Sequence, residues 1–327
     1  MYFITYDNET HYDRFGAQIQ RILSLYLLTK FFKLNYFHSN IIINRNRNVD
    51  FYSLKDVTDE VYLEKFNNLF AELTLSSDNN IEFKNEIRIL SFDINEIQSI
   101  MSTPIDYNVL IKVRFCHSFI DNNPNILEQF ISPSLHWIDS HMNDHLNIAC
   151  HIRRGDVSLT ENVDRYVSVD VYINIINHLT NILSGYSFEY NIYCDSITPD
   201  EMNKIIMNCS TSKITFHINT DLIHTFMTFV NSDILIAGNS SLSYSASFLR
   251  QKGIILYIPI QHVYSTKHIK LETDNSIIIN KEKILNSLSG RTPLRDRIEG
   301  PEINKSEERV TPIIIRYILY GKRYGKR

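Results

Sequence analysis

Leu146-Asn147-Ile148-Ala149-Cys150-His151 followed by Ile152-Arg153-Arg154-Gly155-Asp156 is a short apolar run that ends abruptly in charge. Such a run, too short for a helix, suits a buried strand whose carboxyl end opens on a site. Downstream, apolar residues at Val169, Tyr172, Ile173, Ile176, Leu179 and Leu183 recur at helical spacing. YNIYC (190–194) is again strand-like, and Thr198-Pro199-Asp200-Glu201 opens a helix with a capping threonine and a first-turn proline. ITFHI (214–218), a helix from about Asp221 to Val230, DILIA (233–237), a helix from about Ser241 to Arg250, and IILYI (254–258) continue the series. Strands alternating with helices at this spacing imply right-handed crossovers and a parallel sheet covered on both faces.

The first half repeats the theme more loosely. MYFITY reads as a strand, and the loop Asp7–Gly16 leads into a helix from about Ala17 to Phe32 with Ile19, Ile22, Leu23, Tyr26 and Phe31 facing inward. NYFHS and LIKVRF (110–115) are further strand candidates, Asp59 to Leu73 reads as a helix, and 75–100 is ambiguous. The expected class is α/β, in two domains with the boundary near His141–His145. The domains are 1–143 and 144–285. Residues 286–327 form a polar segment, a last helix signalled by Thr311-Pro312 and the basic tail GKRYGKR, read as solvated.

Length and composition limit the rest. The 327 residues, 43% hydrophobic, are enough for a substantial core and about two domains. A net charge of −4 argues against a nucleic-acid partner, which usually demands a basic stripe. The four cysteines, Cys116, Cys150, Cys194 and Cys209, lack CxxC spacing and read as buried free thiols of a reducing compartment. No metal site is expected. The run Ile22–Phe37 is interrupted by Lys30, Lys33 and Asn35, so it cannot span a bilayer, and a soluble, cytoplasmic protein is expected.

Three elements carry the candidate chemistry. Arg153 and Arg154 at a strand's carboxyl end can grip a diphosphate bidentately at any working pH, with Asp156 placed to fix one guanidinium. The turn Gly238-Asn239-Ser240-Ser241 leads from a strand into a helix whose free amides make an anion cradle. In Asp13-Arg14-Phe15-Gly16-Ala17-Gln18, the glycine lets the chain turn from loop into helix at the mouth of the N-terminal domain.

In this order the three elements resemble the α-1,2/α-1,6/protein O-fucosyltransferase superfamily. Its His-x-Arg-Arg-x-Asp signature is matched by His151, Arg153, Arg154 and Asp156. The family's strand-to-Ser-Ser segment is similar to 233–245, its Gly-x-x-Gln helix to 16–33 with a loose match at the glutamine, and its middle segment to NIYCDS (191–196). The resemblance covers about half the chain, 10–40 and 146–260. It implies a GT-B-like pair of Rossmann-type domains facing a cleft, with 1–143 on the acceptor side and 144–285 binding the nucleotide sugar. It also implies a metal-independent, inverting transferase that moves fucose from GDP-fucose, the donor substrate, to a glycan acceptor, with no cofactor. Arg153 would hold the β-phosphate, Arg154, Gly155 and Asp156 would complete that network, Asn239, Ser240 and Ser241 would contact the diphosphate, and His151 would lie near the nucleotide.

The absence of any Asp-x-Asp fits this, because without a cation the arginines must stabilise charge on the leaving diphosphate. Such preorganised stabilisation is worth about 3–4 kcal/mol per strong donor. Inversion also needs a general base. Glu161, ten residues after His151, has the offset of the proposed base in α-1,6-fucosyltransferases; Asp164 and Asp13 are rivals. Two positions depart from the family. Val157 replaces the lysine that follows the motif aspartate, and Thr225 stands where a base-reading carboxylate is expected. Asp221, one turn earlier, either substitutes for that carboxylate or caps its helix. Another GDP-deoxyhexose or GDP-mannose as donor, or a non-catalytic GDP-sugar or glycan-binding module, fits the same residues.

Overall fold

The computed structural model describes residues 1–8, 14–42, 63–64, 67–68, 81–116, 120–121, 145–211, 213–250, 253–259, 262, 264–271 and 279–288. Parallel strands build two sheets. In the first, β1 (Tyr2–Tyr6), β2 (Asn85–Ser91) and β3 (Val109–Phe115) are ordered β1-β3-β2. Helix α1 (Phe15–Phe31) follows β1, and α2 (Ile94–Met101) follows β2, capped by the Asp93 carboxylate. The second sheet contains β4 (Leu146–His151), β5 (Phe188–Cys194), β6 (Ile214–Ile218), β7 (Ile234–Ala237), β8 (Ile254–Tyr257) and β9 (Ile269–Lys270). Between and after them run α3 (Val169–Ile182), α4 (Pro199–Asn208), α5 (Leu222–Asn231), α6 (Ser241–Leu249) and α7 (Lys281–Ser287).

The order of the second sheet, β6-β5-β4-β7-β8-β9, fixes where a ligand can sit. Counted from β4 it is 3-2-1-4-5-6, the doubly wound dinucleotide-fold order, and the strand order reverses between β4 and β7. The turns after those two strands therefore flank the crevice that such sheets use for ligands. The α/β class with parallel sheets read from the sequence is what the structure shows.

Alternate residues of the central strands face two different cores, as a pleated strand requires. Ile148, Cys150, Ile234, Ile236, Ile254 and Leu256 join α3, α4 and α7 on one side. Ala149, Leu235, Ala237 and Ile255 face the other side, where Phe226 and Phe229 of α5 and Tyr244 of α6 belong to the same cluster as Ile4, Tyr6, Ile111 and Val113 of the first sheet. One apolar core thus runs through both sheets.

Helix α1 lies in the middle of it. The amphipathic reading needs correction: Phe31, expected inside, is 57% exposed, while Leu25, Leu27 and Leu28 are buried along with Ile19, Ile22, Leu23 and Tyr26. A helix sandwiched between two layers is buried on nearly every side, and Phe31 in its last turn reaches solvent. NYFHS is not a strand either; Tyr36 makes one isolated parallel bridge to Ile4. The ambiguous 75–100 region contains β2 and α2. The helix expected at Asp59–Leu73 falls mostly outside the described residues, of which Leu63, Glu64, Asn67 and Asn68 are helical. The expected boundary near His141–His145, the final helix and the basic tail lie essentially outside them. All four cysteines are free, Cys209 half-buried and the other three buried. Among the described residues no helix is long and apolar enough to cross a membrane.

Candidate active site

The site begins where β4 ends. Gly155 takes a left-handed φ of 78°, which a Cβ would disfavour, and this folds the chain back so that Asp156 meets Arg153. The pair is bidentate: Arg153 Nη2 donates to Asp156 Oδ2 at 2.7 Å and Nε to Oδ1 at 3.3 Å. The remaining Arg153 nitrogen, Nη1, donates to the Asn239 carbonyl at 3.3 Å, tying this turn to the one after β7. From the first unit, Arg14 reaches Asp156 Oδ1 at 3.4 Å and Asp195 Oδ2 at 3.5 Å. Burial pushes the Asp156 carboxyl upward, but the hydrogen bond and charge of Arg153, with Arg14 beside it, outweigh that and hold it below the usual carboxylate range.

Arg154 does something different from its neighbour. Its guanidinium is buried and turned inward, donating to Glu201, Val167 and the Arg153 carbonyl. The expectation that both arginines grip a diphosphate is corrected to this extent: the Arg153 side chain bridges the turns after β4 and β7, and Arg154 anchors the first of them from within.

The second turn faces the first. Gly238 stands where any Cβ would lie 2.5 Å from the His151 carbonyl oxygen, so only glycine lets β7 end this close to β4. Ser240 caps α6 by accepting from Leu242 N at 3.2 Å, and Ser241 opens the helix. Asn239 and His151 are both buried, and the Asn239 Nδ2 and His151 Nδ1 atoms have no hydrogen-bond partner. Unpaired buried polar atoms are uncommon in a folded protein, and these two lie on the neighbouring turns that end β4 and β7. Burial, then the nearby charges of Arg153 and Arg14, push the His151 imidazole down to about 3 in spite of Asp156, so it is neutral at physiological pH. Neutral imidazole, an amide donor, a guanidinium and a helix N-terminus together favour an anion.

Other expected site residues take structural roles. Gly16 does not make a turn but lies inside α1, where a Cβ would come within 2.5 Å of Leu242 N and 2.6 Å of Leu242 Cα. Its carbonyl accepts from the buried Ser245 hydroxyl at 2.7 Å. Gln18 is correspondingly not at a cleft mouth; it holds the Ile42 backbone, Nε2 donating to the carbonyl at 2.7 Å and Oε1 accepting from the amide at 3.1 Å. Asp221 caps α5 by accepting from His224 N at 2.7 Å, and the Thr225 hydroxyl donates to the Asp221 carbonyl at 2.8 Å. The capping alternative is the one the fold builds. Glu161 is exposed on a turn closed by Ser158 N donating to its carbonyl at 2.8 Å, and Asp164 is exposed close by in the single 3-10 turn Val163–Arg165. Asp13 lies outside the described residues. Val157 is buried.

Sequence reasoning did not assign Asp195 or Glu201 to the site. Asp195 and Glu201 follow β5, the strand beside β4. That adjacency, once the strand order is known, is the signal that finds them.

Compared with known proteins, the chain matches no family model and no curated protein. Among solved structures it is similar to POFUT1 in complex with GDP, at 10% identity and a TM-score of 0.45, covering 79% of this chain and 98% of that one. It is also similar to an ADP-heptose lipopolysaccharide heptosyltransferase II from E. coli, at 10% identity and a TM-score of 0.41, covering 90% and 99%. A third likeness is to a family 9 glycosyl transferase from Veillonella parvula, at 11% identity and a TM-score of 0.43, covering 90% and 92%.

Proposed function

We propose that the chain is a glycosyltransferase that binds a sugar nucleotide at the reversal point of its second sheet, with the diphosphate between Arg153 and the start of α6. The observation that carries the reading is the Arg153 guanidinium, which bridges the turns after β4 and β7, together with two buried, unpartnered polar atoms on those turns, Asn239 Nδ2 and His151 Nδ1. The donor is GDP-fucose and the acceptor a glycan hydroxyl, as the sequence resemblance implies. Residues 144–285 bind the donor, and 1–143 face the acceptor. As the glycosidic bond to the diphosphate breaks, negative charge grows on the leaving nucleotide. Arg153, held rigid by Asp156, neutralises that charge without needing a metal, and the free amides of α6 add to it. Attack from the opposite face inverts the anomeric carbon. Glu161 takes the acceptor proton, with Asp164 and Asp13 as rivals for that role.

A non-catalytic sugar-nucleotide or glycan-binding module is the second reading. It draws on the exposed setting of Glu161 and on the capping roles of Asp221 and Thr225. A thermal-shift panel of GDP, GDP-fucose, GDP-mannose, UDP and dTDP-sugars tests the nucleotide, and donor hydrolysis then tests catalysis. Stabilisation by GDP-fucose and slow, EDTA-resistant hydrolysis are expected. Binding without hydrolysis or transfer would favour the module, and silence across the panel would remove the nucleotide site altogether.

A further inference from the structure

Arg154 is held by an unusually complete set of partners. Its Nε and Nη2 donate to Glu201 Oε1 at 3.0 and 2.8 Å, Nη2 also donates to the Val167 carbonyl at 3.1 Å, and Nη1 to the Arg153 carbonyl at 2.8 Å. The guanidinium carbon lies 4.4 Å from the centre of the Tyr166 ring, whose hydroxyl donates to the same Glu201 oxygen at 3.4 Å. Two carbonyls, those of Arg153 and Val167, are the ends of the excursion between β4 and α3, so one guanidinium closes that loop.

Glu201 divides its carboxylate between two tasks. Oε2 accepts from Thr198 N and Oγ1 at 3.2 and 3.4 Å, while Glu201 N donates to Thr198 Oγ1 at 3.2 Å, a reciprocal cap at the start of α4. Oε1 is left for Arg154. The helix N-terminus favours the anion there. Burial raises this carboxyl, yet the Arg154 and Thr198 hydrogen bonds more than reverse it, so Glu201 stays ionised opposite the buried cation.

We propose that Glu201 is a positioning residue for the donor site: through Arg154 it fixes the Arg153 carbonyl, and so the turn that aims the Arg153 side chain at the start of α6. This rests on the nucleotide-diphosphate reading of that crevice. Without the carboxylate, Arg154 is a buried cation lacking its counter-charge and must seek other acceptors. The Arg153 turn then loses its anchor, and misplacement by about 1 Å is enough to cost up to roughly a hundredfold in a preorganised site.

The test is GDP titration of the whole chain, by calorimetry beside thermal melts, with Glu201→Gln, Thr198→Ala and the paired change Arg154→Met with Glu201→Met. Glu201→Gln weakens GDP by about tenfold or more, whereas Thr198→Ala, which removes only the cap, lowers Tm by a few degrees and leaves affinity within about twofold. The double substitution removes the lone buried cation, so Tm recovers relative to Glu201→Gln while GDP affinity does not. Unchanged affinity in Glu201→Gln, equal weakening in Thr198→Ala, or recovery of affinity in the double variant each overturns the proposal. Should Glu201→Gln fail to fold, Glu201→Asp takes its place, with affinity expected below that of Thr198→Ala and parity again overturning it. Failure of the unaltered chain to bind GDP would be a different result, sinking the nucleotide reading and this inference with it.

Discussion

The two sheets share parallel pairing yet are finished differently. Both faces of the second are lined with buried aliphatic residues, and polar chemistry gathers at its carboxyl ends, around His151, Arg153, Asp156 and Asn239. The first has an edge strand, β2, with Asn85, Glu86, Arg88, Leu90 and Ser91 exposed, and it contributes α1 and the cation Arg14 to the junction. The contrast is one of labour. A doubly covered sheet gives fixed strand ends on which charges can be held to fractions of an ångström, while the smaller unit supplies the wall against which those ends are held.

Breaking that wall should have the largest effect. Gly16→Val sets a side chain against the backbone of Leu242, which cannot move aside, so loss of more than about 3 kcal/mol is expected and Tm should drop by roughly 10 °C or the protein fail to fold. A normal melt for this variant would show the junction of α1 and α6 to be loose. Next comes the charge at the strand ends. Arg153→Ala should lower donor turnover by roughly a hundredfold with Tm nearly unchanged, and equal loss of fold and activity would mark Arg153 as structural.

Acid acts on both units in the same direction. Burial pushes His38 down to about 4 and His268 to about 3, the latter with help from nearby cations, and His151 lies at about 3. An unfolded histidine takes its proton near 6.5, so between about pH 6.5 and 3 the unfolded chain binds more protons and stability falls as pH falls. The depressed Asp156 and Glu201 carboxyls lose their contribution on acidification too. A melt series from pH 7 to 4 should show Tm declining throughout; a flat profile would contradict the burial of these imidazoles. Arg14→Ala, removing half-exposed contacts of 3.4 and 3.5 Å, should reduce turnover only about two- to fivefold, more at low salt. Gly185→Ala, with nothing within 4 Å of the added atom, should stay within about 0.5 kcal/mol and serves as the control for Gly16.

The difference between the sheets also explains what could be read from sequence. Strands β4 to β8 announce themselves as four to seven residues rich in buried apolar side chains, punctuated by capping residues such as Ser168, Thr198 and Asp221. Strand β9, two residues long, carries no pattern to detect. In α1, burial on every side erases the helical stripe that would set Phe31 apart from the buried positions and Gly16 within the helix. At the site, the HxRRxD spacing pointed to Arg153 and Asp156, whose partnership is local. The divergence of Arg154 from Arg153 was hidden, because it depends on Glu201, 47 residues away and legible in the sequence only as part of a helix start. Contacts set by strand order lie beyond any local pattern.

The apolar core shared by both sheets has a consequence for how this chain can be handled. Severing it near the expected boundary would strip cover from Tyr193, Phe226, Phe229 and Tyr244, side chains of the second unit that are buried alongside Ile4, Tyr6 and Phe15. Neither half is an interchangeable cassette. Heat should therefore melt the whole protein in a single cooperative step, and a graft of one half onto a foreign partner would expose a greasy aromatic scar.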